Sequence, residues 1–195
     1  MGTLLAMNTQ NPPARNVKRA VEALKSGGII VYPTDTTYAL GCDLFDKRAV
    51  EKILSIKRMP KDKLLSLICP DLKTVSQYGF VSNQSYKLMK RCLPGPYTFV
   101  LKATQLVPRI MMTRQKTIGV RMPQDNIALA IVTELGHPII TASAALPGEE
   151  AMSEPYEINA RLGHVVEVVI DAGIILPNAS TIVDLSVEPP VIIRE

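Results

Sequence analysis

Short apolar segments alternate along this chain with segments whose apolar residues recur at helical spacing. Residues 29–32, 97–102 and 117–122 are of the first kind, and residues 16–25 are of the second. Short apolar runs predict strands, and a period near 3.6 predicts helices that bury one face. Because these elements alternate without a regular strand–helix–strand repeat, we predict an α/β (α+β) fold built on one twisted mixed sheet.

The length of 195 residues fits one domain. We predict a loose lead-in over residues 1–14 and a single domain over residues 15–195, since no linker divides the rest. No apolar run approaches the roughly 18 residues of a membrane helix, and the N-terminal segment lacks the basic region of a secretion signal. We therefore expect a cytoplasmic protein without a membrane partner. Three widely spaced cysteines match no zinc pattern, so no metal site is predicted.

Charge is distributed unevenly along the chain. Residues 47–121 hold sixteen basic and three acidic side chains, whereas residues 122–195 hold two basic and eleven acidic ones. A block with a net charge of +13 predicts a basic surface or cleft and an anionic ligand. The alternative is that folding brings the acidic segment beside this basic block and cancels its field.

Hydroxyl groups and arginines collect where predicted strands begin or end. The segments are VYPTDTTYALGC (31–42), TIGVRMP (117–123), TASAALPGE (141–149) and ASTIVDL (179–185). Each segment alone also fits an ordinary turn, because hydroxyl side chains cap turns. Together they are what a cleft needs to hold phosphates and a small zwitterion without a metal cage.

The combination of GGIIVYPTDTTYALGC, LPGPYTFVLKA, TIGVRMP, TASA and STIVDL…VIIRE resembles the YrdC-like proteins, the threonylcarbamoyl-AMP synthases. The resemblance runs in family order from residue 15 onward. It implies a YrdC/RibB-like twisted sheet with a concave basic cleft. It also implies ATP, bicarbonate and L-threonine as substrates, Mg²⁺ bound with ATP and not tightly to the protein, and a product that feeds tRNA modification. Binding of double-stranded RNA is a further property that the resemblance implies.

The resemblance also implies roles for individual residues. The threonine side of the cleft would be formed by Thr34, Thr36, Arg121, Thr141 and Ser180. Arg121 would pair with the threonine carboxylate. The nucleotide side would be formed by Lys57, Lys63, Thr117, Ser143 and Arg194. Lys57 and Arg58 would be the catalytic cations that neutralise charge on the phosphates.

The match to the synthases breaks in the nucleotide half. The family's Lys-x-Arg-Pro is Lys57-Arg58-Met59-Pro60 here, so the second cation moves one place, about 100° around a helix. The family's Ser-Ala-Asn is Ser143-Ala144-Ala145, which removes an amide. These departures resemble the YciO branch of the family.

Three functions follow from the sequence. The first is a YciO-type relative that binds nucleotide and double-stranded RNA or tRNA in a basic cleft. The second is an active threonylcarbamoyl-AMP synthase. The third is a cleft for an unrelated small anion.

Overall fold

The computed structural model describes residues 1–60 and 65–195. Within these residues the chain forms, in order, β1 (Thr3–Ala6), α1 (Ala14–Lys25), β2 (Ile29–Tyr32), β3 (Ala39–Asp43), α2 (Lys47–Ile56), β4 (Ser66–Ile68), α3 (Leu72–Tyr78), α4 (Asn83–Cys92), β5 (Tyr97–Lys102), a 3₁₀ turn (Arg109–Met111), β6 (Thr117–Arg121), α5 (Asn126–Leu135), β7 (Ile139–Ser143), α6 (Pro155–Leu162), β8 (Val168–Asp171), β9 (Thr181–Asp184) and β10 (Val191–Arg194).

All the strands listed join one sheet in the order β1-β8-β2-β3-β7-β4-β6-β5-β9-β10. The sheet is mixed: β4 pairs in parallel with β6, for example, and antiparallel with β7. The prediction of a mixed α/β sheet is therefore confirmed. Sequence neighbours are often not sheet neighbours, and this crossing of connections brings distant loops to one edge.

Alternating side chains give the sheet two faces with separate cores. We call the face that bears Val120 the back face and the face that bears Arg121 the front face. Helices α2, α3, α4 and α6 bury their apolar residues against the back face, together with Val31, Leu40, Leu67 and Phe99. Helices α1 and α5 bury theirs against the front face, together with Tyr32, Ile68 and Ile139.

Local signals in the sequence fix where several helices begin. The carboxylate of Asp46 accepts the backbone N–H groups of Arg48 and Ala49. Asp71, Ser82 and Asp125 cap α3, α4 and α5 in the same way. A side-chain oxygen at this position satisfies a backbone donor that the first helical turn leaves unpaired.

The predicted loose lead-in over residues 1–14 is wrong for residues 3–6. These residues form β1, which pairs in parallel with β8 from Thr3 opposite Val168 to Ala6 opposite Asp171. Leu5 is buried in the front-face core, so burial of one apolar side chain and a full ladder of backbone bonds hold the segment.

Candidate functional site

One half of the front face is polar. Among the described residues, the front-face core contains none from β5, β6, β9 or β10. Paired residues of neighbouring strands lie on the same face of the sheet. Thr98 of β5 pairs with Ile182 of β9, and Ile182 pairs with Arg194 of β10, so Thr98 and Arg194 both lie on this half of the front face. Arg121, at the end of β6, lies beside Ile68 of β4 on the same face.

Arg121 is the centre of this polar region. Its Nη2 donates to Asp35 Oδ1 at 3.0 Å and to Thr36 Oγ1 at 2.9 Å. The side chain is buried, with the residue 8% exposed, and its Nε has no hydrogen-bond partner among residues 1–60 and 65–195. Burial lowers the pKa of the guanidinium, and the carboxylate of Asp35 opposes that shift. An arginine retains its charge despite such a shift, so Nε is a buried charged donor available to a ligand.

Hydrogen bonds within the loop fix the orientation of its hydroxyl groups. Thr34 Oγ1 accepts from the backbone N–H groups of Thr36 and Thr37 and donates to Thr37 O at 2.7 Å. Its single proton is thereby used, so the 3.0 Å contact between the Thr34 and Thr36 hydroxyls is donated by Thr36. Thr36 also accepts from Arg121. What remains at Thr36 Oγ1 is a lone pair, which suits a ligand donor.

Thr141 offers a ligand a hydrogen-bond donor, whereas Thr36 offers an acceptor. The hydroxyl of Tyr32, a fully buried side chain, donates to Thr141 Oγ1 at 2.7 Å. Burial raises the pKa of Tyr32, which keeps this phenol a donor. Thr141 therefore retains its own proton for an acceptor atom of a ligand.

Ser180 and Arg194 lie together at the far side of the sheet. Arg194 donates to Ser180 O from Nε at 3.1 Å and from Nη2 at 2.8 Å, and Nη2 also reaches Ser180 Oγ at 3.2 Å. The Ser180 hydroxyl contacts Thr98 Oγ1 at 2.9 Å. The charge of Arg194 lowers the pKa of Arg121, so the two cations influence one another. Arg194, predicted on the nucleotide side, thus holds a residue predicted on the threonine side.

The structure also brings Lys57 to the end of β7, where Ser143 lies. Lys57 Nζ donates to Ala145 O at 2.6 Å and to Ser143 O at 2.9 Å, and it lies 3.3 Å from Ser143 Oγ. The lysine directly follows α2, whereas the serine ends β7. The ammonium of Lys57 is therefore held by carbonyl groups of residues 143–145.

The second predicted catalytic cation, Arg58, and two residues predicted on the nucleotide side, Lys63 and Thr117, are not brought to Lys57 by any bond that the structure describes. Arg58 is exposed and has φ of +47°, in the left-handed region, directly after Lys57, which caps the end of α2. Thr117 Oγ1 is bonded to Thr113 Oγ1 at 2.6 Å. Lys63 lies outside the described residues. The hydrogen bonds of the described residues join Lys57 to Ser143 and Ala145, and they join Thr117 to Thr113.

Sequence reasoning missed three residues of the site. Asp35 was not predicted, although it is the carboxylate that stands between Thr34 and Thr36 in the loop whose hydroxyl groups were predicted. Tyr32 and Thr98 read as ordinary strand residues, and only the fold shows that their hydroxyls support Thr141 and Ser180. We refer to the assembled group as the polar site, which comprises Tyr32, Thr34, Asp35, Thr36, Thr98, Arg121, Thr141, Ser180 and Arg194.

The basic block divides between the two faces. Arg121 lies in the polar site, and Lys57 reaches the end of β7. Among the described residues, seven further cations of the block are exposed on helices that cover the back face, namely Lys47, Arg48 and Lys52 of α2, Lys73 of α3, and Lys87, Lys90 and Arg91 of α4. The field of this block is therefore not confined to a front-face cleft.

Residues 1–60 and 65–195 lack the features of a membrane span and of a clustered metal site. No helix there has the length and hydropathy to cross a membrane. In the same residues no three His, Cys, Asp or Glu side chains cluster as a metal site.

Comparison with known proteins gives the chain its relatives. A family model described as telomere recombination, covering the Sua5, YciO and YrdC proteins, matches residues 22–195. A Haemophilus influenzae protein is 45% identical over 198 residues, which cover 100% of this chain and 96% of the relative. The YciO protein of Escherichia coli K12 is 42% identical, with the same coverage. A threonylcarbamoyl-AMP synthase of Vibrio vulnificus is 30% identical over 80% of this chain and 85% of its own.

Solved structures agree with these relatives. The crystal structure of E. coli YciO superposes with a TM-score of 0.96 at 42% identity, covering 100% of this chain and 96% of that one. Sua5 of P. abyssi in complex with L-threonine superposes with a TM-score of 0.90 at 27% identity, covering 98% of this chain and 56% of the longer Sua5 chain. The chain belongs to the Sua5/YciO/YrdC family.

Proposed function

We propose that this protein is a YciO-type relative of threonylcarbamoyl-AMP synthase. In this proposal it binds a small zwitterionic amino acid in the polar site, binds a nucleotide beside Lys57, and interacts with double-stranded RNA or tRNA. The family, with its threonylcarbamoyl-AMP synthases, supports a role related to tRNA modification.

The amino-acid part of the proposal rests on the polarity of the site. The Nε of Arg121, which has no partner in the part of the chain that the structure describes, is a donor suited to a carboxylate. The lone pair of Thr36 suits an ammonium or hydroxyl donor, and the proton of Thr141 suits a hydroxyl or carboxylate oxygen. L-Threonine carries all three groups, and Sua5 of P. abyssi has been crystallised with it.

The observation that carries the YciO-type assignment is the position of Lys57 Nζ, 2.6 Å from Ala145 O and 2.9 Å from Ser143 O. An ammonium has three donors, so these two carbonyls occupy most of its capacity. Binding a phosphate through Lys57 requires breaking or rearranging these bonds. The synthases carry an amide where this chain has Ala145, and alanine offers no side-chain donor to compensate.

The second candidate is an active threonylcarbamoyl-AMP synthase, and the complete polar site favours it. The amine of threonine would form an N–C bond to bicarbonate as a C–O bond breaks and water leaves, which gives a carbamate. An oxygen of this carbamate would then attack the α-phosphorus of ATP as the bond to pyrophosphate breaks. The protein would position the carbamate through Arg121 and Thr36 and neutralise phosphate charge through Lys57 and Arg194. Mg²⁺ would arrive with ATP as part of the substrate.

Pyrophosphate release distinguishes the two candidates. The purified protein is incubated with ATP, Mg²⁺ and bicarbonate, with and without L-threonine, and a family synthase is run in parallel as the positive control. We expect calorimetry to show that the protein binds both threonine and ATP. We expect its threonine-dependent pyrophosphate release to be far slower than that of the synthase. Release at the rate of the synthase would establish the second candidate instead. Absence of both threonine and ATP binding would refute both.

The RNA part of the proposal has its own test. We expect the protein to bind an RNA duplex with an affinity that falls steeply as salt rises, because Lys and Arg release counterions from the phosphates they neutralise. The chain has few aromatic residues and no tryptophan, which favours backbone and shape contacts over base stacking. An affinity that stays constant between low and high salt would refute the RNA part.

A further inference from the structure

The outer face of α4 is basic and lies away from the polar site. Lys87, Lys90 and Arg91 are exposed, and the helix contains no acidic residue. At 100° per residue the three side chains project within about 100° of one another. Helix α4 buries Met89 in the back-face core, so these cations lie on the opposite side of the sheet from Arg121.

A groove runs beside this basic face. It has a volume of about 280 Å³ and is lined by Gln84, Ser85, Lys87, Leu88, Arg91, Leu185 and Pro190. The last two residues belong to the segment that connects β9 to β10. One wall of the groove therefore carries the two cations, and the other wall is apolar.

The charges on α4 are not consumed by ion pairs with the described residues. Lys87, Lys90 and Arg91 form no salt bridge with any of them, whereas Lys47 of α2 pairs with Glu51. The apolar wall of the groove is formed by Leu185 and Pro190, and the acidic residues nearest to it in sequence are Asp184 and Glu188. The Asp184 carboxylate already accepts from the N–H and hydroxyl of Ser186, and Glu188 is exposed.

Helix stabilisation accounts for only part of this pattern. Lys90 and Arg91 lie in the last turn of α4, where cations offset the partial negative charge of the helix C-terminus. Lys87 lies one turn earlier and gains little from that effect. Its position four residues before Arg91 sets the two cations about 6 Å apart along the helix axis. That spacing suits successive phosphates of one nucleic-acid strand.

We propose that the outer face of α4, with its groove, is a binding surface for the phosphate backbone of double-stranded RNA, separate from the polar site. The inference rests on the RNA part of the proposed function and locates it outside the front-face cleft. Amide and hydroxyl groups at the start of the helix, on Ser82, Asn83 and Gln84, add polar groups of the kind that contact phosphate and ribose hydroxyls. An RNA duplex can occupy this face while an amino acid and a nucleotide occupy the other.

The test compares two triple variants with equal loss of charge. The first removes the α4 surface (Lys87→Gln, Lys90→Gln and Arg91→Gln). The matched control removes three exposed cations of α1, which covers the front face (Arg15→Gln, Lys18→Gln and Arg19→Gln). Binding of a blunt-ended RNA duplex is measured over a series of salt concentrations, with circular dichroism as the check on folding.

We expect the α4 variant to bind the duplex at least tenfold more weakly at low salt. The slope of log affinity against log salt concentration should be smaller in magnitude by about 2 to 3, which is the change expected when three phosphate contacts are lost. The α1 variant should retain the wild-type slope. Threonine and ATP binding should be unchanged in both variants, because neither variant alters the polar site or Lys57.

The other outcomes separate this inference from the proposed function. Equal weakening by both variants would overturn the α4 surface in favour of a general charge effect. Wild-type affinity in the α4 variant would overturn it while leaving RNA binding intact. A wild-type protein that binds no duplex would refute the RNA part of the proposed function as well. Displacement of the duplex by equal charge of poly-L-glutamate would reassign the surface to an acidic protein partner.

Discussion

Arg121 and Asp35 form a buried ion pair with a distance of 3.0 Å between Nη2 and Oδ1, although 86 residues separate them in the chain. Their side chains are 9% and 11% exposed. The other oxygen of Asp35 accepts the backbone N–H of Gln124 at 3.0 Å. Asp35 thus joins the loop after β2 to the end of β6, and it keeps a buried guanidinium in place before a ligand arrives.

Replacing Asp35 with alanine should therefore destabilise the fold. The change leaves the buried charge of Arg121 uncompensated, which costs about 3–5 kcal/mol in comparable pairs. Urea denaturation would measure this as a lower midpoint. The double variant Asp35→Leu/Arg121→Met is the control, because removing both charges should recover much of the loss. If the free energy of unfolding of Asp35→Ala lay within about 1 kcal/mol of the wild-type value, the ion pair would contribute little to the stability of the fold.

The hydroxyl of Thr36 should be required for amino-acid binding. Thr36→Val removes the acceptor for Arg121 Nη2 and the lone pair that faces a ligand, whereas Thr36→Ser keeps both. Loss of hydrogen bonds to charged groups costs roughly 1.5–3 kcal/mol each, so we expect L-threonine affinity to fall about 10- to 100-fold in the valine variant. Calorimetry with L-threonine measures this. Equal affinity in the valine and serine variants would place the amino acid elsewhere.

Elements with local signals were predictable from sequence, and those that depend on pairing were not. The apolar runs of β2 and β5 mark these strands because a buried strand needs apolar side chains. Strand β3 (Ala39–Asp43) escaped prediction because it follows a polar loop directly and is specified by its register with β2 and β7. Strand β1 is short and lies beside proline-rich sequence, and it is held by its partner β8.

The candidate site shows the same division. The resemblance selected Thr34, Thr36 and Arg121, and the fold brings these residues into contact. The hydrogen bonds from Lys57 to the carbonyl groups of Ser143 and Ala145 depend on the path of the chain at the end of β7, and no local sequence pattern predicts that path. The distribution of the basic block between two faces likewise follows from which core each helix joins.

The pH dependence of stability should carry a contribution from Asp125, the cap of α5. Burial raises the pKa of this carboxyl to about 6, and the nearby charge of Asp35 adds to the shift. Its pKa in the unfolded chain is near 3.9. The folded state therefore holds the proton more tightly, and the associated stability is fully present below about pH 4 and is lost as pH rises through 6.

Asp125→Asn should remove this dependence while keeping the cap, since asparagine is an equally good cap residue. The free energy of unfolding of wild type, relative to this variant, should fall by about 2 kcal/mol between pH 4 and pH 7. Chemical denaturation across that range measures the difference. Parallel profiles for the two proteins would show that the Asp125 carboxyl does not titrate as its burial suggests.

Ala145→Asn should increase catalysis if the missing amide limits the nucleotide side. The new side chain would add donors beside Lys57, whose ammonium now contacts the Ala145 carbonyl at 2.6 Å. One hydrogen bond to a charged phosphate contributes roughly 1.5–3 kcal/mol, so threonine-dependent pyrophosphate release should rise about 10- to 100-fold. Ala145→Leu is the matched control, because the leucine side chain branches at the same carbon as asparagine and carries no amide. An increase in both variants would trace the gain to displacement of Lys57 from the carbonyl groups of residues 143–145, and no increase in either would mean that a change other than Ala145 limits the reaction.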